Sequence, residues 1–387
     1  MTIQSTVPAA DLTRDLAKLP KRARRAVAKL VRRIRAATAE NDERRVRGLI
    51  SQLLNSFHAK FAALEAANRR LQSTARRPVE QLYKLAQTLD LWSPSSERAT
   101  IRSVPKSRGG HRYVVAFGIE NRARQILVSW ALKSWILPRL LRQQNALNGG
   151  RDRAIQRIAQ TIEERRHTYA VELDIKDCFG SINIDWLKEH LPLPPDVTQA
   201  VCAADHINLV ALDTHAGTCP TSRQGLPQGS AVSPILAEYA LARVLREAPE
   251  GVAFQAYVDN IFVSAPDEIG ARQHQQTLER LFEAHPAGLL RVHSHGPRKI
   301  EDGLPVLGYV LRLVHRRVRI EIEYGREERI LEKIEALWDC SDIGSEERRT
   351  LSDRMINGWC AAHSLWRGVR RFERNIRGHI QYLVPQH

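Results

Sequence analysis

Apolar residues recur at helical spacing through the N-terminal part of the chain. One apolar stripe lies within residues 27–34, and a second lies within residues 46–64. Spacings of three and four residues put each stripe on one face of an amphipathic helix, and the polar residues between them predict a turn. The Ser- and Pro-rich segment Trp92–Ser96 is typical of a linker. We therefore expect a helical N-terminal region over residues 1–98.

Beyond this linker, short runs of β-forming residues alternate with helical patterns. Extended runs on both sides of Gly109 and Gly110 predict a hairpin, and the run from Thr168 to Leu173 predicts a buried strand. A further strand pair is predicted within residues 304–324, after which the pattern is helical. Helices are also predicted over residues 121–141, 151–166, 185–190, 235–247 and 271–284. This mixture indicates an α+β fold.

A tight turn between the β-forming runs 252–257 and 261–263 carries Asp259 and Asn260 at its tip. A hairpin holds a carboxylate on a rigid base, as a metal-dependent phosphoryl-transfer site requires. A solvated Asp in a surface turn is the other interpretation of this tip. The predicted strand that runs into Asp174 can hold a second metal ligand at the edge of a sheet.

Two other segments have features of a nucleotide site. Lys106 and Arg112 stand on either side of the first predicted hairpin turn, where two cations could close over a triphosphate. The loop 224–234 is punctuated by Gly and Pro and opens a predicted helix. Its backbone can approach a ligand closely, although an ordinary loop before a capped helix is the alternative interpretation.

The chain is strongly basic, with 59 Lys and Arg residues against 43 Asp and Glu residues in 387, a net charge of +16. Such an excess favours a polyanionic partner, most often nucleic acid. The segment Lys21–Arg47 holds eleven basic and three acidic residues. We interpret it as a cationic face for RNA rather than as a merely solvated helix surface.

The five cysteines have no CxxC spacing, so they indicate neither a zinc site nor a disulfide framework. Their odd number fits a reducing compartment. The sequence has no apolar run approaching the ~20 residues of a membrane span, and its N-terminus lacks an apolar signal core. These patterns predict a cytoplasmic protein without a membrane partner.

The order of these features resembles that of the reverse transcriptases. A cationic hairpin, a strand ending in Asp174, a GLPQG loop, a YVDN hairpin and a Leu307-Gly308-Tyr309 hairpin follow one another within about residues 100–325. The resemblance implies a right-hand polymerase, with fingers and an antiparallel palm sheet over residues 99–325. A helical thumb would occupy residues 326–387.

The resemblance also implies roles for single residues. Asp174 and Asp259 match the carboxylates that hold two catalytic Mg²⁺ ions, with Mn²⁺ as an alternative, and Asn260 stands where the family usually has a second Asp. Lys299 matches a proton donor to pyrophosphate. Nucleotide contacts are implied for Lys106, Arg112, Gln228, Gly229 and Phe179, the last as an aromatic steric gate that selects dNTPs. A primer grip is implied for Leu307, Gly308 and Tyr309.

The function implied by this resemblance is RNA-directed DNA synthesis that copies a partner non-coding RNA. The N-terminal region looks like the extension of group II intron reverse transcriptases and their bacterial relatives, which helps to hold structured RNA. We expect a stand-alone enzyme of the group II-like, retron-like or phage-defence-associated kind, without an appended endonuclease and with a protein partner or homo-oligomer in a defence complex. A splicing cofactor and an inactive polymerase-like scaffold, with Asn260 as a relic, are the alternatives.

Overall fold

The computed structural model describes residues 9–105, 111–211 and 224–383. The helices are α1 Ala9–Ala39, α2 Glu43–Asn55, α3 Phe57–Asn68, α4 Val79–Thr88, α5 Ile119–Ile136, α6 Gly150–Arg165, α7 Cys178–Ser181, α8 Ile184–His190, α9 Pro195–Val197, α10 Ser233–Leu245, α11 Glu268–Ala284, α12 Arg326–Asp339, α13 Ser345–Ala362 and α14 Val369–Leu383. The strands are β1 Arg98–Pro105, β2 His111–Ala116, β3 Tyr169–Ile175, β4 Asn208–Ala211, β5 Ala253–Tyr257, β6 Asn260–Ala265, β7 Val292–Ser294, β8 Arg298–Lys299, β9 Leu304–Val306, β10 Tyr309–Val314 and β11 Arg317–Ile322. The fold combines helices with β-sheets, as the sequence predicts.

The chain divides into two compact units. The first unit falls within residues 1–142, 175–248 and 279–292, and the second within residues 143–174, 249–278 and 293–387. The helical N-terminal region therefore belongs to the same unit as the β1–β2 hairpin. None of the helices in the described ranges has the length and apolar character needed to cross a membrane.

The first unit is built on the packing of α1, α2, α3 and α5. Its buried side chains include Ile34, Ile50 and Leu127, and those from α1 and α2 come from the predicted apolar stripes. The second stripe does not form one helix, because Ser56 adopts an extended conformation and its hydroxyl accepts a hydrogen bond from the backbone N–H of Ala59. Ser56 thus ends α2 and caps α3.

The sheet of the first unit has the order β2-β1-β4. The predicted hairpin is confirmed, with β1 and β2 antiparallel from Thr100 opposite Ala116 to Pro105 opposite His111. The parallel addition of β4 was not predicted, because a four-residue run carries too little periodicity to distinguish a strand from a loop.

The second unit contains the sheet β5-β6-β3-β7, in which β8 also pairs with β3, and a separate meander β9-β10-β11. Helix α6 packs against β5 and β11. Strand β7 is short and comprises only Val292–Ser294.

Helices α12, α13 and α14 form a bundle with its own core, which includes Ile334, Trp338, Ile356 and Phe372. Phe372 is buried, and Trp366 is half-buried and packs against the same core. Both aromatic side chains therefore stabilise this bundle.

Candidate active site

The antiparallel pairing of β3 with β6 determines the geometry of the candidate site. The register runs from Tyr169 opposite Ala265 to Asp174 opposite Asn260. Directly opposed residues on antiparallel strands have Cβ atoms about 5 Å apart and share one face of the sheet. Asp174 therefore lies beside Asn260 at the end of the sheet where the β5–β6 turn carries Asp259, and the Asp174 side chain is exposed there.

The β5–β6 connection is a two-residue turn, because Tyr257 pairs with Asn260. Val258, its first residue, has φ = +54°. A β-branched residue in the left-handed region is strained, and such strain persists only where surrounding structure imposes it. The side-chain amide of Asn260 donates a hydrogen bond to Oδ1 of Asp259 at 3.1 Å. The turn and this bond hold the Asp259 carboxylate in a defined orientation.

The hairpin is anchored from the side of β5. The backbone N–H of Ala256 donates to the carbonyl of Gln143 at 2.9 Å, and the N–H of Asn145 donates to the carbonyl of Ala256 at 3.0 Å. Asn145 is fully buried, and its side-chain amide donates to Gln255 Oε1 at 3.1 Å. These bonds fix the strand that leads into the Asp259 turn.

The donors at this end of the sheet fit a hard divalent cation. Asp174 and Asp259 offer carboxylate oxygens, and Mg²⁺ is usually bound through one or two carboxylates together with substrate phosphates. No cluster of three or more His, Cys, Asp or Glu residues suited to a metal occurs in the described ranges. Within the described ranges these two carboxylates do not form a complete protein cage, so an ion held by them would need further oxygen ligands from water or a substrate.

A second set of predicted residues comes together in the first unit around the loop 224–230. The backbone N–H of Leu226 donates to the carbonyl of Phe179 at 2.8 Å. Gly225 has φ = +66°, and a Cβ there would lie 2.5 Å from the carbonyl oxygens of Phe179 and Gly180. Glycine is required at position 225 because the loop passes so close to the backbone that carries Phe179.

The other end of this loop lies against β2. The N–H of Val115 donates to the backbone carbonyl of Gln228 at 2.8 Å. Gly229 has φ = +103°, and a Cβ on it would lie 2.3 Å from the Val115 carbonyl oxygen. The structure therefore brings Gln228 and Gly229 to the β2 strand, in which Arg112 pairs with Val104. Lys106 and the side chain of Arg112 lie outside the described residues.

Residues 104–295 match the family model described as reverse transcriptase (RNA-dependent DNA polymerase). This part of the chain is similar to reverse transcriptases. The match covers the two candidate metal carboxylates, Asp174 and Asp259, and it also covers Asn260. Lys299 lies just beyond its C-terminal end. It also covers the predicted nucleotide contacts from Lys106 to Gly229.

Two of the solved structures similar to the chain are yeast telomerases. Apo telomerase from Candida tropicalis, truncated from its C-terminal domain, has a TM-score of 0.40 and 14% identity, over 59% of this chain and 56% of that one. Telomerase from Candida albicans in complex with a TWJ fragment of telomeric RNA has a TM-score of 0.37 and 11% identity, over 84% of this chain and 66% of that one. The chain thus spans 56% and 66% of the lengths of these telomerases. No curated protein matches it in sequence.

The structure does not bring Lys299 to the two candidate metal carboxylates. Lys299 pairs with Tyr169, at the start of β3, whereas Asp174 lies five residues further along the strand. At about 3.3 Å per residue this separation is about 17 Å, which exceeds the reach of a lysine side chain. The role of Lys299 as a proton donor to pyrophosphate stays a prediction.

The predicted primer-grip residues divide into a turn and a core residue. Leu307 and Gly308 form the two-residue turn between β9 and β10, with φ values of +47° and +88°, and Val306 pairs with Tyr309. The Tyr309 side chain is fully buried. Leu307 and Gly308 are half-buried in this turn, and their role as a primer grip stays a prediction. The alternation of apolar residues along β10 was the available signal for the burial of Tyr309.

Proposed function

We propose that this protein is an RNA-directed DNA polymerase, which extends a primer with dNTPs on an RNA template. The observation that carries the proposal is the register that sets Asp174 opposite Asn260, beside the turn residue Asp259, within the part of the chain that is similar to reverse transcriptases. The carboxylate of Asp174 on strand β3 and that of Asp259 in the β5–β6 turn would together form the acidic site that nucleotidyl transfer requires.

In the proposed reaction, the primer 3′-oxygen attacks the α-phosphorus of the dNTP. One P–O bond forms, the P–O bond to pyrophosphate breaks, and the hydroxyl proton passes to solvent water. Asp174 and Asp259 would hold Mg²⁺, with Mn²⁺ as the alternative. When held by these two carboxylates, such ions would neutralise charge on the phosphates and favour ionisation of the attacking hydroxyl. By the resemblance, the Phe179 ring excludes a ribose 2′-hydroxyl, and Gln228 and Gly229 line the nucleotide pocket.

The C-terminal helix α14 supplies a surface suited to the primer–template. Arg367, Arg370, Arg371 and Arg374 are exposed and spaced at i, i+3, i+4 and i+7, so they follow one side of the helix and of the turn before it. None of the four forms an ion pair within the described residues. Buried Phe372 and Ile376 occupy the opposite face. A row of unpaired guanidinium groups is suited to successive phosphates.

A second cationic surface favours a structured RNA as the template partner. The segment Lys18–Ala39 of α1 contains nine basic and no acidic residues, and most of the basic residues are exposed. Leu30 and Ile34 are buried on its other face. We propose that this surface holds a partner non-coding RNA, as in the group II-like, retron-like and defence-associated bacterial enzymes that the sequence resembles. A cytoplasmic role in anti-phage defence, with a protein partner or a second copy of the chain, is part of the same proposal.

Purified protein supplied with Mg²⁺, dNTPs and an RNA template annealed to a DNA primer tests the proposal. We expect DNA synthesis, and we expect Asp174→Ala and Asp259→Ala each to lower the rate by more than roughly a thousandfold. Asp196→Asn, at an exposed residue of α9, is the matched control and should retain the wild-type rate. Full synthesis by either alanine variant would overturn the assignment of the site.

The basic surface of α1 also favours a second candidate, a splicing cofactor that folds an intron RNA. That function predicts assistance to splicing that survives Asp174→Ala, because RNA binding would not require the carboxylates. An inactive scaffold predicts that Asn260→Asp restores nothing to an inert protein. DNA synthesis that Asp174→Ala abolishes separates a polymerase from the other two functions. A splicing assay with the Asp174 variant then separates the cofactor from the scaffold.

A further inference from the structure

The turn between α13 and α14 is fixed to the meander strand β10 through Tyr309. The Tyr309 hydroxyl donates to the carbonyl of Ala362 at 3.1 Å and accepts from the N–H of Leu365 at 3.4 Å. The ring itself is fully buried. A buried hydroxyl with both a donor and an acceptor partner specifies one position for the turn, because displacement would leave polar groups unpaired.

Arg151, in the first turn of α6, binds the same carbonyl. Its guanidinium group donates to the carbonyl of Ala362 and lies over the Tyr309 ring, 5.1 Å from the centroid. Ala362 is the last residue of α13, and carbonyls at a helix C-terminus lack partners within the helix. A cation there is also favoured by the helix dipole. Arg151 and Tyr309 thus cap α13 from outside the helix.

A separate bond holds the next residue of the turn. The Ser364 hydroxyl donates to Oδ2 of Asp152 at 2.6 Å, and the other Asp152 oxygen pairs with Arg151 at 3.3 Å. A hydrogen bond to a carboxylate is stronger than a neutral one. We call Arg151, Asp152, Tyr309 and Ser364 the latch.

The latch joins two hydrophobic cores of the second unit. Tyr309 belongs to the core beneath the meander, whereas Phe372 and Ile334 belong to the core of the helical bundle. Trp366, in the latched turn, packs against both cores. The turn is therefore a point at which the orientation of the bundle on the sheet is determined, and it immediately precedes the arginine row of α14.

We propose that the latch positions the α12–α14 bundle so that the enzyme remains bound to its primer–template between successive nucleotide additions. Its members are positioning residues, not catalytic ones, and this role rests on the proposed polymerase function. Weakening the latch should shorten the product made in each binding event. It should leave the addition of a single nucleotide to an already bound primer unchanged.

The test compares Tyr309→Phe, Ser364→Ala and the double variant with wild type. Tyr83→Phe and Ser345→Ala are the matched controls, since neither hydroxyl has a partner within the described residues. Primer extension is started together with a heparin trap, so that each enzyme molecule acts once. We expect the mean product length to fall several-fold in the double variant, while single-nucleotide incorporation stays within about twofold. An equal fall in both quantities, or an unchanged product length, would overturn the proposal.

Amide hydrogen exchange at residues 363–368 tests the latch without any need for polymerase activity. Loss of each bond should accelerate exchange there by roughly two- to tenfold, and the control variants should not. If wild type makes no DNA, the proposed function fails, while accelerated exchange would still show that the latch holds the turn. Unchanged exchange in the double variant would refute the latch itself, whatever the activity.

Discussion

The amide nitrogen of Asn260 lies 3.1 Å from Oδ1 of Asp259, to which it donates a hydrogen bond. An aspartate at position 260 could not make this bond, because an ionised carboxylate has no donor. Asn260 is also the residue opposite Asp174. Its side chain therefore limits the negative charge at this end of the sheet and restrains one oxygen of Asp259, which is a different role from that of a decayed metal ligand.

Replacement of Asn260 by Asp should tighten divalent-ion binding, because a third carboxylate would add negative charge beside Asp174 and Asp259. We expect the Mg²⁺ concentration for half-maximal synthesis to fall roughly three- to tenfold. Direct Mn²⁺ binding, measured by electron paramagnetic resonance, should tighten in parallel. Asn183→Asp is the control, since either side chain can cap α8. Weaker Mn²⁺ binding in Asn260→Asp would contradict this account.

Gly225→Ala should disturb the proposed nucleotide pocket, because the added Cβ would lie 2.5 Å from the backbone oxygens of Phe179 and Gly180. The positive φ adds strain, and together these effects should destabilise the fold by about 1–3 kcal/mol. We expect a lower Tm and a higher KM for dNTPs as the loop moves away from Phe179. Gly251→Ala is the control, since no atom lies within 4 Å of a Cβ there. An unchanged KM would argue against a role for this loop in nucleotide binding.

The elements of the palm were predictable, whereas their register was not. Alternation and turn residues predicted β3 and the β5–β6 hairpin separately, because both signals are local. The pairing of Asp174 with Asn260 joins residues far apart in the chain, and it depends on how the buried faces of β3 and β6 pack. The hydrogen bond within the Asp259 turn likewise required side-chain positions.

Tyr309 shows the limit of an argument from motifs. The Leu307-Gly308-Tyr309 motif indicates a functional turn, and the turn is present. The environment of the ring is set by Ala362 and Leu365, more than fifty residues later in the sequence, whose approach leaves no local signal. The pairing of Lys299 with the start of β3 likewise could not be predicted, since β8 has only two residues and no periodicity of its own.

Arg370→Gln with Arg374→Gln should weaken binding of an RNA–DNA primer–template without unfolding α14. Each lost phosphate contact removes about one counterion, so the slope of log Kd against log salt should fall by up to about 2. Arg377→Gln is the matched control on the same helix, because Arg377 is occupied by ion pairs with Asp353 and Glu373. The control should alter stability and leave the salt slope unchanged. An equal slope for the double variant and wild type would remove α14 from the binding surface.

His167 should make stability depend on pH in mildly acidic solution. Burial, with Arg165 and His274 nearby, lowers the pKa of His167 from 6.5 to about 4, and its Nδ1 lies 2.9 Å from the Ser264 hydroxyl oxygen. Between pH 4 and 6.5 the unfolded chain binds more protons at this residue than the folded one, so the free energy of unfolding falls as the pH falls. The full contribution is at most about 3 kcal/mol.

Denaturant unfolding of wild type and His167→Gln at pH 7.5 and pH 5 measures this contribution, because glutamine can still bind Ser264 but does not titrate. We expect wild type to lose more stability than the variant between the two pH values, by about 1–2 kcal/mol. His206→Gln, at an exposed histidine, should behave like wild type. An identical loss in wild type and His167→Gln would show that His167 does not titrate differently in the folded and unfolded states.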